Sequence, residues 1–113
     1  MKEIGRVRRS VLERERIVRL PHPPYDVVVV MTEGDVFALE DACNHAGASL
    51  AEGEVDGTTI ACPMHGYLFD LRTGELLAPR GLCGAQRRYE VTREAAADGD
   101  VFVVRDPFVL RIL

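Results

Sequence analysis

The run Asp56-Gly57-Thr58-Thr59-Ile60-Ala61-Cys62-Pro63-Met64-His65-Gly66-Tyr67-Leu68-Phe69-Asp70-Leu71-Arg72-Thr73-Gly74-Glu75-Leu76-Leu77 is a succession of short strands and tight turns. Asp56-Gly57 and Thr73-Gly74 are turn dipeptides, because glycine takes positive φ without a Cβ penalty. Asp56-Gly57 leads into Thr58–Ala61, which reads as a strand, and Tyr67–Leu71 and Glu75–Leu77 flank Thr73-Gly74 as the two arms of a hairpin. The interruption Cys62-Pro63-Met64-His65-Gly66 is a loop carrying one thiol and one imidazole.

The same grammar extends in both directions. Tyr25–Met31 is a β-branched run that reads as a strand buried on both faces, and Glu33-Gly34 turns it back into Val36–Leu39. Arg16–Leu20 alternates basic and apolar residues until Pro21-His22-Pro23-Pro24 breaks the pattern. Arg88–Arg93 and Val101–Arg105 flank the turn Asp98-Gly99-Asp100. Helical pattern is weak, confined to Val11–Arg19 and Arg93–Ala97, and the apolar tail Pro107–Leu113 reads as a last packed strand. Such spacing predicts an all-β sandwich or barrel-like fold.

A chain of 113 residues is one domain. The net charge of −4 disfavours nucleic acid as a partner, since phosphate binding needs surplus Lys and Arg. The longest apolar run, Val27–Met31, is far too short to span a membrane. Arg8-Arg9 invites a reading as an export signal, but no apolar segment follows. Three cysteines, an odd number, fit a reducing compartment and point to the cytoplasm. Charge is uneven: Lys2–Leu20 holds seven basic and three acidic residues, whereas Glu33–Glu75 holds nine carboxylates and a single Arg72. Two readings follow, ordinary solvated surfaces or an acidic collar that steers a basic partner.

Chemistry concentrates in two boxes. Cys43-Asn44-His45-Ala46-Gly47 follows the Val36–Leu39 strand, and Cys62-Pro63-Met64-His65-Gly66 follows Thr58–Ala61, so both lie on loops at strand ends. Cys43, His45, Cys62 and His65 make a complete four-ligand set for zinc or iron. Zinc sites usually pair like ligands in one arm. One Cys and one His per arm suits a binuclear centre with thiolates on one iron and imidazoles on the other. Gly47 and Gly66 let backbone approach such a centre, and Leu50, Met64 and Leu68 are available to cover its inner side. Glu40 and Asp41 read as part of an exposed acidic rim, His22 as a loop residue without a nearby partner, and Cys83 as a buried, inert thiol.

The two boxes, with the downstream Tyr67-Leu68-Phe69-Asp70 and Thr73-Gly74-Glu75, resemble those of Rieske-type [2Fe–2S] proteins, in particular the ferredoxin branch. The resemblance implies one [2Fe–2S] cluster, with Cys43 and Cys62 on the inner iron and His45 and His65 on the outer, solvent-facing iron. It also implies a single domain, 1–113, of stacked antiparallel sheets, with base strands at about 1–42 and 76–113 and a cluster-binding subdomain at about 43–75. A Pro-containing shielding loop would include Pro79. The implied role is a one-electron carrier, not an enzyme, between a reductase as donor and an oxygenase or other reductase as acceptor. A fixed electron-transfer subunit of a larger oxidoreductase, such as a nitrite reductase small subunit, is an alternative, and a structural zinc module is another.

Two thiolates, two sulfides and two ferric ions sum to zero charge, so adding an electron costs less than at an all-thiolate centre. Potentials accordingly rise from about −400 mV to between about −150 and +300 mV. High-potential Rieske proteins add a disulfide and hydroxyl donors; this chain has Ala48, Met64, Tyr67 and Phe69 at the matching positions. Fewer donors stabilise the reduced cluster less, which predicts the low-potential end. Deprotonation of the imidazole ligands predicts a potential that falls at alkaline pH.

Overall fold

Val27 to Val30 are all fully buried, and alternation along the strand sends their side chains to two different cores. Val28 and Val30 join Leu39, Leu50, Ile60, Cys62, Tyr67, Phe69 and Leu71 on one side. Val27, Val29 and Met31 join Val7, Leu12, Tyr89, Phe102 and Val104 on the other. This two-sided burial is why the run carries no polar residue.

The computed structural model describes residues 2–42, 48–64, 66–79 and 85–107. Chain order is β1 (Lys2–Arg8), α1 (Arg9–Glu15), β2 (Ile17–Leu20), β3 (Val27–Thr32), β4 (Asp35–Glu40), a 3-10 turn (Leu50–Glu52), β5 (Glu54–Asp56), β6 (Thr59–Ala61), β7 (Leu68–Asp70), β8 (Leu76–Ala78), β9 (Arg88–Glu94) and β10 (Val101–Asp106). One sheet has the order β1-β10-β9-β4-β3-β2 and the other is the meander β5-β6-β7-β8. All pairings between these strands are antiparallel. The all-β fold expected from the turn spacing is observed, and so are the stacked antiparallel sheets that the Rieske resemblance implies.

The larger sheet curls over itself. Val7 of β1 and Phe102 and Val104 of β10 pack against β3, although β1 and β2 lie at opposite ends of the strand order. β9 makes this possible by changing partner along its length: Arg88 and Tyr89 pair with β4, and Glu90–Glu94 with β10. The smaller sheet covers the outer face of β3 and β4 through Ile60, Phe69 and Leu71.

Three local readings differ. Lys2–Arg8, where the sequence shows no strand pattern, is β1, paired along its length with β10; tertiary pairing outweighs weak local propensity. Helix begins earlier and ends earlier than the pattern indicates, at Arg9–Glu15, anchored by fully buried Leu12 and stopped by Arg16 at φ 66°. Arg93–Ala97 forms no helix, because Arg93 and Glu94 continue β9 opposite Phe102 and Val101. The Phe108–Leu113 part of the tail lies outside the described residues, as does Cys83.

Candidate metal centre

β6, an interior strand of the smaller sheet, ends at Ala61, which is paired with Glu54 on one side and Leu68 on the other, and Cys62 follows at once. The Cys62 N–H donates to the Tyr67 carbonyl at 2.7 Å, and the Gly66 N–H donates to the Cys62 carbonyl at 3.0 Å. These bonds close a tight loop with Cys62 at its foot. Gly66 sits at φ +68°, so the turn itself demands glycine there. The foot is buried, with Cys62 2% exposed, and the tip is not: Pro63, Met64 and Gly66 are exposed. His65 lies outside the described residues, between two exposed neighbours in the chain. Met64, which the sequence offered as inner cover, is 52% exposed instead; Leu50 is the residue that fills the interior.

The first box leaves from the end of β4. Cys43 and His45 lie outside the described residues, with Asn44, Ala46 and Gly47, but both limbs of their loop are defined. An isolated antiparallel bridge joins Ala42 to Ser49, and the Leu50 N–H donates to the Asp41 carbonyl at 2.7 Å. The Asp41 carboxylate accepts from the Ser49 hydroxyl and the Ala51 N–H, each at 2.8 Å. Arg19 completes the network, with Nε 3.3 Å from that carboxylate and Nη2 donating to the Ser49 hydroxyl. Asp41 is therefore a buried structural carboxylate, 6% exposed, and not part of an exposed rim. A reading of sequence alone assigns it to the surface because its partners lie 8 to 22 residues away.

Ala48, at the outgoing limb of the first loop, packs into the same core as Cys62, Tyr67 and Leu50. The necks of the two boxes are thus neighbours. A soft thiol buried at the foot of one loop, next to the closed neck of another loop that carries Cys and His, fits a group bound between the two. Glu52 and Glu54 line a cavity of about 330 Å³ with Cys62, Pro63 and Gly66, which puts carboxylates beside the second box.

Around the entry to the first box, burial raises the Glu40 carboxyl above its ordinary pKa, an effect opposed by the Arg87 charge. His22 also has a place here. Its Nε2 lies 3.6 Å from the Asp106 carboxylate, which Arg87 binds through both oxygens at 2.9 and 3.0 Å, and its ring meets Tyr89 edge-on at 5.8 Å. Nothing in the local sequence points to Asp106, which arrives from the last strand.

Comparison with known proteins agrees with this geometry. Over 53 residues the chain is 42% identical to the 3-phenylpropionate/cinnamic acid dioxygenase ferredoxin subunit of Photorhabdus laumondii, an alignment covering 46% of this chain and 50% of that one. The chain thus spans about half the length of the curated relatives it matches. Its structure is similar to the ferredoxin of carbazole 1,9a-dioxygenase from Nocardioides aromaticivorans, with TM-score 0.76, 26% identity, and 94% and 99% of the two chains covered. It is also similar to a chain in a complex of reduced oxygenase and oxidized ferredoxin of carbazole 1,9a-dioxygenase, with TM-score 0.65, 34% identity, and 77% and 86% covered. Residues 5–83, which carry both boxes, match the Rieske [2Fe-2S] domain, and with the fold and the paired loops in agreement, this chain belongs to that family.

Proposed function

We propose that this chain is a one-electron carrier, a Rieske ferredoxin that takes single electrons from a reductase and passes them to an oxygenase. The observation that carries this reading is the polarity of the second loop, buried at Cys62 and exposed on both sides of His65. Cys43 and Cys62 would hold the inner iron of a [2Fe–2S] cluster, and His45 and His65 the outer iron. The bound [2Fe–2S] cluster supplies reversible uptake of a single electron. The protein's part is to keep the Cys62 sulfur in a dry core while the tip of the same loop, at Pro63, Met64 and Gly66, stays accessible to a docked partner.

The names of the relatives, ferredoxin components of dioxygenase systems, support an oxygenase as acceptor. Glu52 and Glu54 beside the second box support a partner whose docking face is basic. Such an interface is small, because a shuttle has to release one partner before meeting the next. Fully buried Phe69 carries no hydroxyl, and with Ala48 and Met64 in the two loops no disulfide is available between them; both support a potential at the low end of the family range. The smaller sheet, Glu54–Ala78, supports a cluster-binding part set between base segments, with β8 (Leu76–Ala78) on the cluster-binding side of the expected boundary near 75. No helix among the described residues is long and apolar enough to cross a membrane, and the cysteine usage supports a cytoplasmic setting.

Electron paramagnetic resonance of the dithionite-reduced protein, with iron and acid-labile sulfide analysis, tests this reading. Two irons, two sulfides and the low average g-value of mixed imidazole–thiolate ligation are expected. One zinc without sulfide, or the spectrum of an all-thiolate cluster, overturns it.

A further inference from the structure

Gln86 stands at the point where the chain leaves the smaller sheet for the larger one. It is 3% exposed, among the most buried polar residues described. Its main chain faces the smaller sheet: the N–H donates to the Gly74 carbonyl at 2.7 Å, and Gly74 in turn donates to the Asp70 carbonyl at the end of β7. Its side chain faces the larger sheet. The Nε2 group donates to the Glu40 carbonyl at 2.9 Å and to the Ala42 carbonyl at 2.8 Å.

Backbone pairing between β4 and β9 runs through Ala38–Tyr89 and Leu39–Arg88, and the Glu40 N–H still reaches the Arg87 carbonyl at 2.8 Å. Beyond that point the main chain has turned toward Gly74. The Gln86 amide takes over, donating to the carbonyl of Glu40, the last residue of β4, and to that of Ala42, the residue before Cys43. Both donors of one NH2 group are thereby used. On the other side, β7 pairs with β6, whose end carries Cys62. The link admits little slack, since a Cβ on Gly74 would lie 2.3 Å from the Gln86 carbonyl oxygen.

We propose that Gln86 is the positioning residue that sets the two ligand-bearing loops relative to each other. It holds the incoming limb of the Cys43 loop through Ala42 and the Cys62 sheet through Gly74, so one buried side chain sets the span on that side, while the outgoing limb reaches Ala61 through Leu50 and β5. The proposal rests on the ligand reading given above. It differs from a general stabilising role, because partners bound between two loops respond to the span of those loops as well as to the stability of the fold.

The test compares the cluster-loaded wild type with Gln86→Leu, which keeps volume without donors, and Gln86→Asn, which is one methylene too short for both carbonyls. Leu12→Ala, a core truncation remote from both loops, serves as a stability comparator. Gln86→Leu is expected to release iron to a chelator about tenfold faster or more, with displaced g-values and midpoint potential, and Gln86→Asn is expected to fall between it and wild type. Leu12→Ala lowers the melting temperature while leaving g-values and potential in place. If Gln86→Leu does not fold, Gln86→Asn carries the same readings. Gln86 variants that melt lower but keep the wild-type g-values, potential and iron-release rate overturn the proposal alone. A wild type lacking acid-labile sulfide overturns the ligand reading and this proposal with it.

Discussion

Asp41 is the clearest case of a residue whose role depends on partners distant in sequence. Its carboxylate accepts from Ser49 and Ala51 and pairs with Arg19, closing the outgoing limb of the first loop. Replacing it by alanine leaves the Ala51 N–H without its acceptor in a part-buried setting, at a cost of about 1–3 kcal/mol. Asp41→Ala is therefore expected to melt earlier than wild type and to bleach faster in visible absorbance under chelator, the second effect because the loop that carries Cys43 and His45 opens at its neck. Unchanged bleaching with a lowered melting temperature would assign Asp41 to the fold and not to the site.

Among elements, the hairpins are legible locally and can be tested locally. The β3–β4 turn places Glu33 at φ 51° and Gly34 at φ 81°, a pair of positive angles for which Asn-Gly is the better sequence. Glu33→Asn is expected to stabilise the protein by about 0.5 kcal/mol, read as a raised melting temperature. The β7–β8 hairpin is closed by Asp70, which accepts from the Arg72 N–H at 2.8 Å and from its guanidinium at 3.2 and 3.0 Å. Those hydrogen bonds from Arg72 hold the Asp70 carboxyl below the usual aspartate range. A carboxyl with a lowered folded pKa contributes stability that is complete above its ordinary value of about 3.9 and is lost as pH falls through the lowered value. Asp70→Asn should thus destabilise the protein at neutral pH and converge with wild type in acid, as followed by chemical denaturation at a series of pH values. A penalty independent of pH would show that the carboxylate charge plays no part.

At the scale of the molecule, charge is segregated by topology except at Arg19 of β2, which lies 3.3 Å from Asp41 and 3.9 Å from Glu52. The arginine-rich opening forms β1 and α1, and β1 is the outer strand of the larger sheet. Much of that charge is paired there, Arg6 with Glu3 and Glu94, and Arg9 with Asp100. Glu52 and Glu54 stand beside Cys62 at the other sheet. Attraction between an acidic face and a basic partner is long-ranged and screened by salt. The rate of reduction by the proposed donor reductase is expected to drop by about tenfold on going from low salt to about 0.5 M. Glu52→Lys with Glu54→Lys should lower the low-salt rate and flatten the salt dependence. A rate indifferent to both changes would remove these two carboxylates from the docking face.

Local chemistry was sufficient for much of this protein. Gly- and Asp-containing turns set strand lengths, five apolar residues in a row marked the strand buried on both faces, and the Cys–His spacing singled out the two loops, because each of these depends on residues adjacent in the chain. The tertiary structure alone decided that Lys2–Arg8 is a strand, that Met64 faces outward, that Asp41 is a buried clamp, and that His22 meets Asp106. Those outcomes depend on pairings across the chain, up to 104 residues apart for Lys2 and Asp106, and no local pattern encodes a partner that distant. Gln86 shows the distinction most sharply: nothing around it in sequence distinguishes it from any polar residue before a strand, and only the crossing of the two sheets makes its amide the link between them.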